Sequence, residues 1–197
     1  HDPHASASPR LQRELAHEPV ATGQCDVCHV VEGGRPVAKL TEKVPALCIT
    51  CHDDKAGLDK KSTPHPPAAE GDCLQCHDPH RGVAKGLLKA KTTEMCGECH
   101  DNVAESLKQP VVHKAFSTGQ CAGCHELHGS DREHLLKSDD GAMCLTCHKN
   151  LAERVSASKG AHPPFAKKDC LRCHEPHSGA EPGLLRKDMR SLCRTCH

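Results

Sequence analysis

A chain of 197 residues with no Trp, no Tyr and two Phe lacks the large rings that normally fill an interior. Its 26 basic and 26 acidic side chains balance, which leaves no basic face for nucleic acid. No apolar run approaches bilayer-spanning length, and Leu, Val and Ile are too scattered to bury much area, so something other than side chains must supply the core.

In chain order, residues 1–16 form a polar leader with a helical turn expected near Leu11–Leu15. The first motif, Cys25-Asp26-Val27-Cys28-His29, is a CxxCH pentapeptide. It recurs at Cys48, Cys51 and His52; Cys73, Cys76 and His77; Cys96, Cys99 and His100; and Cys121, Cys124 and His125. It returns at Cys144, Cys147 and His148; Cys170, Cys173 and His174; and Cys193, Cys196 and His197. All 16 cysteines are consumed. CxxCH is the attachment signature of c-type haem: the two thiols add across the vinyl groups, and the adjacent histidine binds the iron. A zinc ribbon or dithiol would use CxxC, but would not demand a histidine after every pair. Eight covalently attached haem c groups are therefore predicted, and their flat apolar rings would form the missing core. Each adds about one negative charge through its propionates, so the holoprotein is expected to be acidic.

The motifs fall into four repeats, 17–52, 65–100, 113–148 and 162–197, joined by linkers 53–64, 101–112 and 149–161. Each repeat opens on a histidine eight residues before its first Cys (His17, His65, His113, His162), and its two motifs are 23 residues apart. Leu40, Leu88, Leu136 and Leu185 stand eight before the second motif, where a packing role on the haem edge is expected. His80, His128 and His177 follow the first motif by three residues in repeats two to four, while repeat one has Val30-Val31-Glu32 there. Gly23, Gly71 and Gly119 precede the first Cys by two, and repeat four has Lys168 instead. Short helices are expected over 95–108 and 143–156, running through the second motif. Pro64, Pro66, Pro67, Pro163 and Pro164 suggest extended or turn backbone, and 82–86 and 179–183 read as loops. No strand pattern is evident. The fold class expected is a haem-packed multihaem cytochrome c of loops and short α-helices with little or no β-sheet, its four tandem dihaem repeats forming one continuous, elongated array.

Paired CxxCH motifs, the opening histidine and the C-x-x-C-H-x-x-H extension together resemble the doubled-CxxCH multihaem cytochromes c. That family includes periplasmic decahaem conduits and extracellular cytochromes of metal-reducing microbes. Over residues 17–197 the resemblance implies covalent haem c, bis-histidine ligation and electron transfer.

The proximal iron ligands are then the eight motif histidines, His29, His52, His77, His100, His125, His148, His174 and His197. Repetition in register makes His17, His65, His113, His162, His80, His128 and His177 the distal candidates. His80 is tethered within about 10 Å of His77, so it must reach a neighbouring iron, as must His128 and His177. Seven distal ligands do not satisfy eight irons. His1, His4, His134, an open iron or a histidine from another copy are the alternatives, with His1 or His4 favoured and His134 read as a surface residue. Because repeat one lacks the following histidine, the Cys25–His29 motif is expected to be the odd centre. Met95, Met143 and Met189 read as packing residues, and Lys91 and Arg186 as solvated side chains. Bis-histidine iron sets low potentials and leaves no open position for substrate.

The leading expectation is electron transfer along eight haems in periplasmic or extracellular respiration, without enzymatic activity. Redox-protein donors and acceptors or extracellular electron acceptors would be the partners, and a head-to-tail homopolymeric filament is a specific version. The alternative is a nitrite, hydroxylamine or sulfite reductase with one open haem. Haem attachment requires export, so His1 is read as a mature terminus, and with no spare Cys no lipid anchor is expected.

Overall fold

Each repeat starts alike because its opening histidine lies in extended backbone and the residues after it close one helical turn. His17, His65, His113 and His162 have ψ of 139°, 116°, 129° and 130°, followed by helical turns Glu18–Ala21, Pro66–Ala69, Lys114–Ser117 and Pro163–Ala166. Proline has its φ preset and loses nothing by lacking an N–H in a first turn. Pro66, Pro67, Pro163 and Pro164 therefore start helices rather than extended segments, while Pro64 lies in a strand. The computed structural model describes residues 15–139, 141–157 and 160–197. His1, His4 and residues 11–14 of the anticipated turn lie outside that set, and Leu15 is in a strand rather than a helix.

The CxxCH motif closes a turn of its own. In seven of the eight motifs the histidine N–H donates to the carbonyl of the first Cys at 2.9–3.1 Å, as in His77 to Cys73 and His197 to Cys193. This turn pulls the histidine out of helical backbone, so the two helices expected to run through the second motif are each broken. Thr92–Gly97 and Asp101–Ser106 are separated at His100 (φ −108°, ψ 84°), and Ala142–Leu145 is separate from Lys149–Ala157.

Strands are more frequent than the sequence suggested. In chain order they are β1 (Leu15–Ala16), β2 (His29–Glu32), β3 (Arg35–Leu40), β4 (Thr63–Pro64), β5 (Arg81–Gly82), β6 (Val111–Val112), β7 (Gly129–Ser130) and β8 (Ser178–Gly179). They form four two-stranded antiparallel ladders, β1–β5, β2–β3, β4–β7 and β6–β8. The expectation of little or no β-sheet is corrected accordingly; six of these strands have two residues, too few to show alternation. Three ladders obey one rule. The segment before the opening histidine of a repeat pairs with the segment just beyond the C-x-x-C-H-x-x-H of the next. The fourth, β2–β3, is a hairpin within repeat one and occupies the place where that repeat lacks its histidine. The repeated leucines have a backbone role as well: Leu40, Leu88, Leu136 and Leu185 pair with His29, His77, His125 and His174.

No apolar residue is buried among the described residues, and the one buried polar residue is Ser130, whose hydroxyl donates to the Leu136 carbonyl. A polypeptide in this state has no apolar core of its own.

The junctions between repeats rest on close approaches. A Cβ on Gly71 would lie 2.6 Å from Pro45 Cγ, and one on Gly119 would lie 3.4 Å from Thr92 Cβ. Both glycines have positive φ (83° and 72°). At the third junction the small residue has moved to the other side. Gly141 meets the backbone of Lys168, which itself has φ 59°. That exchange explains how Lys168 can stand where other repeats have glycine. Gly141→Ala is expected to drive a methyl into the Lys168 carbonyl and cost about 1–3 kcal/mol, read as a melting temperature several degrees lower. Gly97→Ala, which meets no atom within 4 Å, should leave it unchanged or slightly raised.

Candidate haem-binding centres

The histidines assemble in pairs that cross the repeats. The opening histidines face the second motif of their own repeat: His17–His52, His65–His100, His113–His148 and His162–His197, with ring centroids 6.1, 6.2, 6.1 and 5.9 Å apart. The histidines three residues past the first motif face the first motif of the preceding repeat: His80–His29 at 5.9 Å, His128–His77 at 6.0 Å and His177–His125 at 6.0 Å. His80 thus serves a neighbour and not its own motif, as its short tether requires. All seven pairs lie within 8–34° of parallel.

A separation this uniform is not what free ring packing gives, since unconnected rings spread over about 4.5–7 Å. It matches two metal–imidazole bonds of about 2 Å each plus roughly 1 Å from each nitrogen to its ring centre. Hydrogen bonding fixes which nitrogen is offered. His77 Nδ1 donates to the Gly86 carbonyl (2.6 Å), His125 Nδ1 to His134 (2.8 Å) and His174 Nδ1 to Gly183 (2.9 Å). His17 Nδ1 donates to Pro79 (3.0 Å) and His65 Nδ1 to Leu127 (2.8 Å). A carbonyl only accepts, so each of these Nδ1 atoms carries the proton and Nε2 is left with a lone pair for a metal. Burial, with the Lys55 charge nearby, holds the His128 pKa below its ordinary value and favours the neutral form a ligand needs.

The acceptor carbonyls come from one repeated turn nine residues beyond the proximal histidine. Gly86, His134 and Gly183 have φ of 80°, 55° and 68°, and each is followed by a leucine at 57–58°. His134 is therefore a turn residue at a glycine position, and its part in the site is its carbonyl. Repeat one has the hairpin instead, and His29 Nδ1 is buried without a hydrogen-bond partner.

The cysteines connect the motifs in succession. Burial pushes the Cys48 thiol up with Cys73 adding to it, Cys76 up with Cys99, and Cys124 up with Cys147; Cys144 is pushed up to about 11 by burial and by Cys170. Cys96 shares a hydrogen bond with Cys121. Neighbouring motifs thus share a thiol hydrogen bond across each junction (Cys48 and Cys73, Cys96 and Cys121, Cys144 and Cys170) and lie near one another within repeats two and three (Cys76 and Cys99, Cys124 and Cys147).

The position of the odd centre is corrected. His29, expected to lack a partner, faces His80, because the distal histidine comes from the following repeat. The histidine without a facing ring among the described residues is His174, in the last repeat. It is also solvent-exposed, whereas its counterparts His29, His77 and His125 are half-buried. Met189 is 69% exposed and takes no ligand position, and Arg186 is engaged by the Glu175 carboxylate at 2.8 Å. Among the described residues no group of three or more His, Cys, Asp or Glu is placed to hold a bare metal ion. The residues fit haem: paired thiols on one turn, two facing imidazole rings with centroids at iron-spanning distance, and no buried apolar residue among those described.

An axial imidazole whose Nδ1–H is hydrogen-bonded is the more basic ligand and favours ferric iron. The centre at His29 is therefore expected to have a higher potential than those at His77 and His125. A bond worth about 1 kcal/mol between oxidation states corresponds to about 40 mV. His80→Ala, His128→Ala and His177→Ala each remove one low-spin component from a spectroelectrochemical titration. The component lost in His80→Ala should be the most positive of the three, and a lower one would refute the assignment.

No curated protein matches the chain. A family model described as the doubled CXXCH motif matches residues 17–57, 65–105, 113–153 and 162–197, the same four repeats in which the histidine pairs and abutting cysteines lie. The chain belongs to the doubled CXXCH motif family of multihaem c-type cytochromes.

Proposed function

We propose that this protein carries electrons along eight bis-histidine c-type centres, in the periplasm or outside the cell, and that copies join head to tail as a filament. When bound, haem supplies reversible one-electron chemistry at low potential. The chain's residues do the rest. The cysteine pairs would hold each group covalently, and the paired imidazoles would bind its iron and leave no open position for substrate. Backbone carbonyls hold the rings in one tautomer and orientation. The observation that carries this reading is the succession of neighbouring motifs, whose thiols share hydrogen bonds across all three junctions and lie near one another within repeats two and three. No helix among the described residues is long and apolar enough to cross a membrane, which accords with a carrier meeting soluble or extracellular partners.

His174 gives a second reading its one foothold. A proximal histidine with no facing ring is what a reductase with one open position would present. The two readings separate on the purified holoprotein. An electron carrier is expected to take up and release eight electrons reversibly over a spread of negative potentials, and to reduce nitrite, hydroxylamine and sulfite no faster than denatured holoprotein does. Turnover of any of the three that is abolished by an axial ligand to one centre, cyanide for instance, would establish the reductase instead.

A further inference from the structure

Each junction inside the chain is made by one short segment of the following repeat, and each time that segment supplies a facing histidine and a strand. In repeat two it is Asp78-Pro79-His80-Arg81-Gly82. His80 faces His29, the Pro79 carbonyl accepts from His17 Nδ1, and the His80 carbonyl accepts from the His17 backbone N–H at 3.0 Å. Arg81 and Gly82 pair with β1, and Asp78 Oδ1 accepts from the N–H groups of His80 and Arg81, which shapes the segment. Glu126-Leu127-His128-Gly129-Ser130 and Glu175-Pro176-His177-Ser178-Gly179 share the ring facing and the strand pairing in repeats three and four; the Leu127 carbonyl accepts from His65 Nδ1, and the His177 carbonyl accepts from the His113 backbone N–H at 2.8 Å. The pattern is an acid, Pro or Leu, His, any residue, then Gly or Ser.

Repeat four offers the receiving half of this junction with nothing in it among the described residues. His174 and His162 are both exposed, while their equivalents in repeats one to three are half-buried. Phe165 stands in the register of Phe116, whose ring lies 4.8 Å from the donated His177. At the other end, repeat one has the hairpin where a donor segment would be, so it cannot extend the series by itself. Yet the sequence pattern occurs a fourth time, in the leader: Asp2-Pro3-His4-Ala5-Ser6.

The other contacts that make a junction are open at the same two ends. Cys48 and Cys73, Cys96 and Cys121, and Cys144 and Cys170 are half-buried, but Cys193 and Cys25, which would form the next pair, are both exposed. Gly71 and Gly119 are covered by the preceding repeat, whereas Gly23, in the same register, has nothing within 4 Å of its Cβ position. Repeat one of one copy set against repeat four of another would complete the cysteine pair and cover Gly23, bringing its leader along.

We infer that Asp2-Pro3-His4-Ala5-Ser6 of a second copy docks on repeat four as the internal segments dock on repeats one to three, with His4 as the distal ligand opposite His174. The inference rests on the electron-transfer reading of the paired-histidine centres and names the contact by which copies join. The donated strand residues Ala5 and Ser6 add to the backbone ahead of His162, and Cys25 of one copy abuts Cys193 of the next.

The test uses the full-length holoprotein. Wild type is expected to assemble into polymers by light scattering and electron microscopy, with all eight haems low-spin by EPR. His4→Ala should run as a monomer with one haem in eight high-spin, while His1→Ala behaves as wild type. A synthetic peptide of residues 1–14 added to His4→Ala should restore the low-spin signal without restoring polymers, and the same peptide with alanine at position 4 should not. Wild type that stays monomeric and fully low-spin at every concentration would mean that the leader reaches its own repeat four, and would overturn docking between copies. His4→Ala that stays polymeric and low-spin would overturn the role of His4. High-spin signals from the seven internally paired centres would be a failure of the electron-transfer reading, separate from either result.

Discussion

The arrangement depends on holding two imidazoles at one separation with Nε2 facing inward. Neither half of that condition is met by the histidine side chains alone, because an imidazole can present either nitrogen and rotate about two bonds. Backbone carbonyls impose both. The Gly86, His134 and Gly183 carbonyls hold proximal rings, and the Pro79 and Leu127 carbonyls hold opening rings. The left-handed turns, the two-residue ladders and the repeated leucines are all devices for placing those carbonyls. The short helical turns add little packing, as expected of a chain with no buried apolar residue among those described.

This constraint also explains why the sequence repeat and the structural repeat are out of phase. A sequence repeat begins at an opening histidine and ends at its second motif. The first centre of that repeat is completed only by the next one, through His80, His128 or His177. In repeats two and three the same few residues supply a facing histidine to one centre and a carbonyl to the imidazole of the adjacent one. Neighbouring centres are thereby coupled through a single stretch of backbone, and a shift at one opening histidine cannot occur without moving the ligand of its neighbour.

Much of this was legible from spacing. The eight CxxCH motifs, the opening histidines and the C-x-x-C-H-x-x-H histidines all announce themselves by register, because chemistry fixes their intervals. The direction of donation was not legible. A three-residue tether shows that His80 must serve a neighbour, but not whether that neighbour precedes or follows, and this is why the unpartnered histidine was expected at His29 rather than His174. The ladders escaped notice because two paired residues leave no periodicity. The helices over 95–108 and 143–156 were drawn too long because their composition is helical, while the CxxCH turn overrides propensity at His100 and His148. His134 reads from the sequence as a surface residue, and only its φ of 55° shows that it occupies a glycine's place in a turn.

The phase shift has a consequence for how such a chain can be cut or lengthened. Excising 65–100 at its sequence boundaries would leave the centre at His29 without His80 and would also remove the strand that holds β1. A portion from an opening histidine through the donor segment of the next repeat, as from His17 to Gly82, keeps the pairs at His29 and His52 whole but includes His77 without His128. Duplication or deletion by recombination would preserve the pairing where both breakpoints fall at equivalent places in two repeats, because one donor segment then replaces another. Each donor segment follows directly on a first motif that itself needs the next repeat, so no cut between repeats leaves both pieces with every pair intact.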